Sequence, residues 1–131
     1  MGISTNANIC YGILLDEGVE FPWREEGIEE WYCRTVLGFE VGGNYKKMWE
    51  ILKESPIPFS EENCCSLECP IYILAVADTV KIARRGYPIE FDPQDLVAKE
   101  SSVSLFMEAI DSIGIEVDKS RISWHLYSYM G

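Results

Sequence analysis

The chain has 131 residues, with 22 acidic and 11 basic side chains, and its formal net charge at pH 7 is −11. This length is typical of one domain, and an apolar content of 47% is ample for one hydrophobic core. A strongly negative field repels phosphate backbones and anionic lipids. The composition therefore argues against direct binding to nucleic acid or to a membrane, and it favours a basic partner.

No segment of the sequence resembles a membrane anchor or a secretory signal. The longest nearly apolar run covers only residues 70–77, whereas a bilayer needs roughly 20 apolar residues. The amino-terminal residues have neither a basic flank nor a small-residue cleavage site. The odd set of cysteines favours free thiols in a reducing compartment. We therefore expect one cytoplasmic domain spanning residues 1–131. The five cysteines are Cys10, Cys33, Cys64, Cys65 and Cys69.

The first predicted element is a strand. Residues 8–15 are rich in Ile, Tyr and Leu, which predicts a strand buried on both faces. The polar residues 16–18 are predicted to end it.

An amphipathic helix is predicted for residues 25–37. Glu25 and Glu26 would occupy its first turn, where carboxylates oppose the positive end of the helix dipole. Glu30 would form an ion pair with Arg34, one turn further along. The inward-facing side chains are predicted to be Ile28, Trp31, Tyr32 and Val36.

A second helix is predicted after Gly43, because Asn44 is a good amino-terminal cap. Pro56 would end this helix, and residues 55–69 are predicted to form a loop. The apolar stripe of the helix falls on Tyr45, Met48, Trp49 and Leu52, all expected inside.

The third quarter of the chain predicts a central strand at residues 70–77, which are continuously apolar. Residues 78–85 favour a short helix capped by Asp78, although a continuing strand also fits their pattern. Residues 87–91 are predicted to form another strand, and Asp92 followed by proline indicates a helical turn.

The last elements are a third helix and a closing strand. Ser101 or Ser102 is predicted to cap the helix, and Gly114 to end it. Residues 121–130 alternate and predict a half-buried strand. The inward side chains are predicted to be Val103, Phe106, Met107 and Ile110 on the helix, and Ile122, Trp124 and Leu126 on the strand.

Taken in order, these elements predict an α+β fold in one domain. We expect a mixed or antiparallel sheet of about four strands, with about three helices packed on one face.

Catalytic and metal-binding signals are sparse. There is no glycine-rich phosphate loop, and the only histidine, His125, lies on a predicted strand, where an edge or solvent-facing position is expected. Zinc at Cys64, Cys65 and Cys69 would need a fourth ligand, Cys33 or His125, and the usual paired spacing is missing. We therefore predict no catalytic residues, no metal, no cofactor and no enzymatic activity.

The strongest signal is a run of acidic residues between positions 16 and 30, here called the acidic segment. It contains seven carboxylates and one arginine. It predicts a surface that docks on a basic partner, with Trp23 as an aromatic anchor. The alternative is that the charge only keeps the domain soluble. The predicted partner-binding residues are Asp16, Glu17, Glu20, Trp23, Glu25, Glu26, Glu29 and Glu30.

A basic turn stands out in this acidic chain, at residues 84–88. Arg84, Arg85 and Tyr87 could hold an anionic group, or the two arginines could neutralise carboxylates of the same molecule. The first alternative would make the protein a small enzyme or a ligand-binding domain.

Three stretches of the chain carry a resemblance to a known class of proteins. Residues 3–12 with the acidic turn after them, residues 71–74 and residues 84–88 resemble small uncharacterised proteins encoded by bacteriophages. The resemblance brings no catalytic residues. It implies a phage or prophage origin and the cytoplasm of an infected bacterium. Small acidic phage proteins often bind and block host machinery, as anti-CRISPR and anti-restriction inhibitors do, so the resemblance implies an interaction protein.

Overall fold

A computed structural model describes residues 5–65 and 70–130. It confirms the predicted α+β class, with three α-helices and five strands. No helix in this described part is long and apolar enough to cross a membrane. In chain order the elements are β1 (Thr5–Leu14), α1 (Ile28–Thr35), α2 (Tyr45–Glu54), β2 (Phe59–Cys65), β3 (Pro70–Val76), β4 (Lys81–Arg84), α3 (Glu100–Ile113) and β5 (Ser123–Met130).

Four strands pair in a closed ring, in the order β1, β3, β2, β5 and back to β1, and β4 also pairs with β1. One edge of β1 pairs with β5 along eight residues, and the other edge pairs first with β4 and then with β3. β3 pairs with β2, and β2 meets β5 in a single parallel bridge between Cys65 and Tyr129. All other pairings are antiparallel. β3 thus has partners on both sides, which confirms its prediction as a central strand.

The strands β3 and β4 form one line along β1 that is interrupted by a turn of 3-10 helix, Ala77–Thr79. At the interruption, the Tyr11 amide loses a backbone partner and donates instead to Oγ1 of Thr79, at 2.9 Å. The Thr79 hydroxyl donates to the Val76 carbonyl, at 2.7 Å. Because Thr79 is buried, this substitution avoids the cost of an unpaired amide.

The two faces of the sheet bury different residues. One face packs against all three helices and forms the main core, which includes Ile13, Phe59, Leu74, Trp31 and Phe106. The opposite face holds a smaller cluster around Cys10, Cys64 and Ile73. β1 therefore has buried side chains on both faces, as predicted, and the helices lie on one face, as predicted.

The first helix is shorter than predicted, because Gly27 has φ of +89° and cannot belong to it. Glu25 and Glu26 therefore precede the helix, and its first turn contains Glu29 and Glu30 instead. Arg34 pairs with Glu26 rather than with Glu30. Trp31 and Tyr32 are buried as predicted, whereas Val36 is exposed.

The second and third helices confirm some predictions and correct others. The Asn44 side chain accepts the Lys47 amide, so the predicted cap of α2 is confirmed. Tyr45 and Trp49 are exposed, however, because the neighbouring elements cover only the Met48 and Leu52 side of that stripe.

The third helix, α3, begins before the predicted serine caps, with Lys99 at the cap position, and ends at left-handed Gly114 as predicted. Its predicted inward residues Phe106 and Ile110 are buried, and Val103 and Met107 pack against the core.

Three segments differ from the predicted secondary structure. The predicted loop at residues 55–69 contains β2, a polar strand whose carboxylates find hydrogen-bond donors in distant parts of the chain. The predicted helix at 78–85 is the 3-10 turn followed by β4, so the alternative of a continuing strand is correct. The predicted strand at 87–91 makes only one bridge, at Tyr87, while the predicted turn after Asp92 is confirmed.

The closing strand β5 exists as predicted, and two of its three predicted inward residues are confirmed: Ile122 packs against the main core, and half-buried Trp124 packs against Tyr11. Leu126 is the exception. Leu126 is 80% exposed, whereas Tyr127 packs against the Cys10 cluster. The helices cover only part of the sheet, and Leu126 lies opposite Ile9 on a portion that they leave open.

Candidate functional site

The acidic segment forms the connection between β1 and α1 and the first turn of α1. Its carboxylates are all at least partly accessible to solvent. Asp16 lies 3.2 Å from Arg121, Glu20 lies 3.3 Å from Arg24, and Glu26 contacts Arg34. Among the described residues, no Lys or Arg lies within ion-pair distance of the other four, which are Glu17, Glu25, Glu29 and Glu30.

The three ion pairs do not cancel the charge of the acidic segment. Three of the seven carboxylates have a cationic partner, which leaves four negative charges without one among the described residues. The acidic segment therefore presents a surface with an excess of negative charge.

Trp23 is not the exposed anchor that the sequence suggests. Its side chain is 3% exposed and stacks on Phe21, with ring centroids 4.7 Å apart. Its Nε1–H donates to Oε2 of Glu61 at 2.9 Å. Trp23 thus belongs to the core, and the prediction of an aromatic anchor at this position is corrected.

A cavity of about 430 Å³ lies beneath the acidic segment, and we call it the acidic pocket. Its apolar lining includes the rings of Phe21, Trp23 and Tyr72. Its charged lining consists of four carboxylates and one guanidinium, which belong to Asp16, Glu17, Glu20, Glu61 and Arg24. The acidic segment therefore borders a concave site with aromatic walls, a feature that the sequence pattern did not reveal.

Glu61 and Tyr72 reach the acidic pocket from β2 and β3, far from the acidic segment along the chain. No local pattern could have assigned them to this site, because their proximity depends on strand pairing. The only available signal was the acidic character of residues 61 and 62, which suggested a loop instead.

An exposed aromatic pair lies beside α1, the helix whose first turn contains Glu29 and Glu30. Tyr45 and Trp49, one turn apart on α2, are 51% and 57% exposed. The pKa of the Tyr45 phenol is raised, chiefly by its hydrogen bond to the Glu30 carboxylate. This contact places the exposed aromatic pair next to the carboxylates of α1. Tyr and Trp are common at the centres of protein interfaces.

The smaller cluster adjoins a polar network of half-buried side chains. The Tyr127 hydroxyl donates to Oε1 of Glu62 at 2.7 Å, and the Ser60 hydroxyl donates to Oε2 at 2.6 Å. Burial, together with the nearby Glu62 charge, raises the pKa of the Cys10 thiol to about 12. A thiol with that pKa stays protonated at neutral pH and is a poor nucleophile.

Two of the cysteines weighed as zinc ligands, Cys33 and Cys64, lie in different clusters. Cys33 lies in the main core and Cys64 in the cluster on the other face of the sheet. Cys69 and the side chain of Cys65 lie outside the described residues. In the described part, no three His, Cys, Asp or Glu side chains are placed to share a metal ion.

His125 is half-buried on β5, a strand whose second edge makes only one bridge, to β2. Its Nε2 lies 3.0 Å from the Gly12 carbonyl and 3.3 Å from the Ser123 hydroxyl. The carbonyl can only accept, so Nε2 carries the proton in this contact. A protonated Nε2 cannot take a proton from Ser123, and the arrangement therefore does not match a serine nucleophile with its base.

The basic turn borders an open depression of about 570 Å³. Arg84, Arg85 and Tyr87 line it and are exposed, Tyr87 at 74%. The small side chains of Ala7, Ala83 and Ser128 also line it. The structure thus brings the three predicted anion-binding residues together, at a shallow surface rather than in an enclosed pocket.

Comparison with known proteins gives no relative for this chain. No protein-family model matches it, and neither the curated proteins nor the solved structures contain a significant match.

Proposed function

We propose that this chain is an interaction protein of a phage or another mobile element, which binds and blocks a host protein through the acidic segment. Inhibition of a host defence protein of the CRISPR or restriction type is the activity that fits best. The observation that carries this proposal is a group of four carboxylates that have no Lys or Arg of the described chain within ion-pair distance, Glu17, Glu25, Glu29 and Glu30. Glu17 lines the acidic pocket, and Glu30 contacts Tyr45 of the exposed aromatic pair.

The partner would present a basic surface, such as one that normally binds nucleic acid. Carboxylates placed against such a surface replace phosphates as counter-charges and hold the natural ligand off. Tyr45 and Trp49 would supply apolar contact area at low entropic cost, as rigid aromatic side chains do at interfaces. The acidic segment would act mainly on the rate of association.

The test is a charge reversal within the acidic segment. We expect the triple variant Glu25→Lys, Glu29→Lys and Glu30→Lys to associate with the host partner about tenfold more slowly, or slower still, at low salt. Wild-type association should itself slow as salt is raised, since the Debye length falls from about 30 Å at 0.01 M to about 10 Å at 0.1 M. The partner is first captured from host lysate, and rates are then measured with the purified pair.

A matched control reverses three exposed carboxylates elsewhere, Glu90→Lys, Glu108→Lys and Glu116→Lys, and changes the net charge by the same amount. We expect its association rate to stay within about threefold of wild type, because screening limits the range of surface charges. Equal rates for both triple variants, or rates that ignore salt, would show that the acidic segment serves solubility alone.

A second candidate function is favoured by the depression at the basic turn. If Arg84 and Arg85 hold an anionic ligand, inorganic phosphate should bind saturably and shift the amide resonances of residues 84–87. The variant Arg84→Ala should then weaken phosphate binding at least about tenfold. Absence of saturable shifts at 10 mM phosphate, taken as roughly the weakest useful affinity, would remove this candidate.

A further inference from the structure

We infer that the acidic pocket binds the guanidinium group of an arginine side chain, and that Glu61 is the carboxylate that recognises it. This inference deepens the proposed function and depends on it for the source of the arginine, an exposed segment of the basic host partner. Glu61 lies outside the acidic segment, so the sequence alone does not assign it to the site.

The first argument is the fixed position of the Glu61 carboxylate. The buried Trp23 indole donates to Oε2 at 2.9 Å, and Trp23 is held in turn by Phe21, Trp31 and Phe59. The other oxygen, Oε1, has no hydrogen-bond partner among the described residues. A half-buried carboxylate with one oxygen held and one available is well placed to accept from a cationic donor.

The second argument is the charge of the lining. Three further carboxylates, of the exposed residues Asp16, Glu17 and Glu20, line the acidic pocket together with Glu61. The only cation of the described lining is Arg24, and Glu20 already pairs with it, 3.3 Å away. Asp16 also has a partner, Arg121, outside the lining. The lining still keeps a net negative charge, and half-buried Glu61 carries the part of it that solvent screens least.

The third argument concerns the choice of arginine over lysine. The lining includes the aromatic residues Phe21 and Trp23, which are largely buried, and Tyr72, which is half-buried and the most accessible of the three. A planar guanidinium packs against aromatic rings and is more weakly hydrated than an ammonium group, so it enters such a site at lower cost. A cavity of about 430 Å³ also accommodates a long side chain together with some water.

The probe for this inference is the blocked peptide N-acetyl-Gly-Arg-Gly-amide, titrated into the full chain by NMR. We expect saturable binding with a Kd on the order of 1 mM, as is reasonable for one charged side chain in a pocket. Amide shifts should map to the residues that line the acidic pocket. The same peptide with citrulline, which is neutral and of the same shape, should bind at least about tenfold more weakly.

The decisive variant is Glu61→Gln, which removes the charge but keeps an oxygen that can accept from Trp23. We expect it to weaken binding of the arginine peptide at least about tenfold, with a melting temperature close to that of wild type. The matched control Glu25→Gln makes the same change in the acidic segment at a residue that does not line the pocket. It should bind the peptide within about twofold of wild type, since the charge it removes is exposed and screened.

Several results would overturn the inference. They are a lack of saturable binding, equal affinity for the arginine and citrulline peptides, equal or tighter binding of the corresponding lysine peptide, and unchanged affinity in Glu61→Gln. The peptide assay uses no host protein, so its failure is separable from failure of the proposed function. If the peptide fails while the host partner still responds to the triple charge reversal, the pocket inference falls and the acidic segment remains the docking surface.

Discussion

Replacing Gly12 by alanine is expected to destabilise the protein by roughly 3 kcal/mol or more. Gly12 of β1 pairs with Ala75 of β3. A Cβ atom at Gly12 would come within 2.4 Å of the Leu74 carbonyl oxygen and 2.7 Å of the Ala75 Cα. Both contacts are with backbone, which cannot move aside as a flexible side chain can. The strands would have to separate, and the ring of pairings would loosen on both faces of the sheet.

Urea unfolding of Gly12→Ala measures this cost directly. The control is Gly86→Ala, a glycine in the basic turn with φ of +83° and open space around its Cβ position. Alanine at that position should cost only about 1 to 2 kcal/mol of backbone strain. If Gly12→Ala cost less than Gly86→Ala, the close approach of β1 and β3 would be contradicted.

Truncating Trp31 to alanine is expected to lower the free energy of unfolding by about 3 to 5 kcal/mol. Trp31 is 5% exposed and packs against Trp23, with ring centroids 5.2 Å apart, in the core between the helices and the sheet. Removal of the indole leaves a cavity among aromatic side chains that cannot readily close around it. The loss thus combines transfer and cavity terms.

The matched control is Trp49→Ala, the same substitution on the neighbouring helix α2. Trp49 is more than half exposed, so its loss should change the free energy of unfolding by less than about 1 kcal/mol. Denaturant unfolding of the two variants side by side provides the measurement. Similar costs for both would mean that the described burial of Trp31 is incorrect.

Single residues in the sequence were sufficient to predict where some helices begin or end. Asn44 marks the start of α2 because its side chain can accept an orphan amide, and Gly114 marks the end of α3 because it adopts the left-handed conformation. The continuous apolar run at residues 70–77 predicted β3 and its central position, since such a run is typical of a strand with both faces covered. In the structure, β3 has a pairing partner along each edge.

Periodicity identified which residues share a face, but not which faces become covered. Trp49 shares its stripe with buried Met48 and Leu52, yet it stays in solvent because the surrounding elements extend over only part of α2. Leu126 likewise lies on a sheet face beyond the reach of the helices. Coverage depends on where distant elements end, and a local window of sequence contains no such information.

From the sequence by itself, the order of predicted helices and strands determined the α+β class, and the charge pattern determined the acidic segment and the paired arginines of the basic turn. Only the tertiary structure decided that Trp23 belongs to the core and that Glu61 faces the same pocket as the acidic segment. The physical reason is that a hydrogen bond between residues 38 positions apart, such as that of Trp23 with Glu61, exists only after strand pairing brings them together. Charge is local and can be counted along the chain, whereas a pocket is a property of surfaces that the fold assembles.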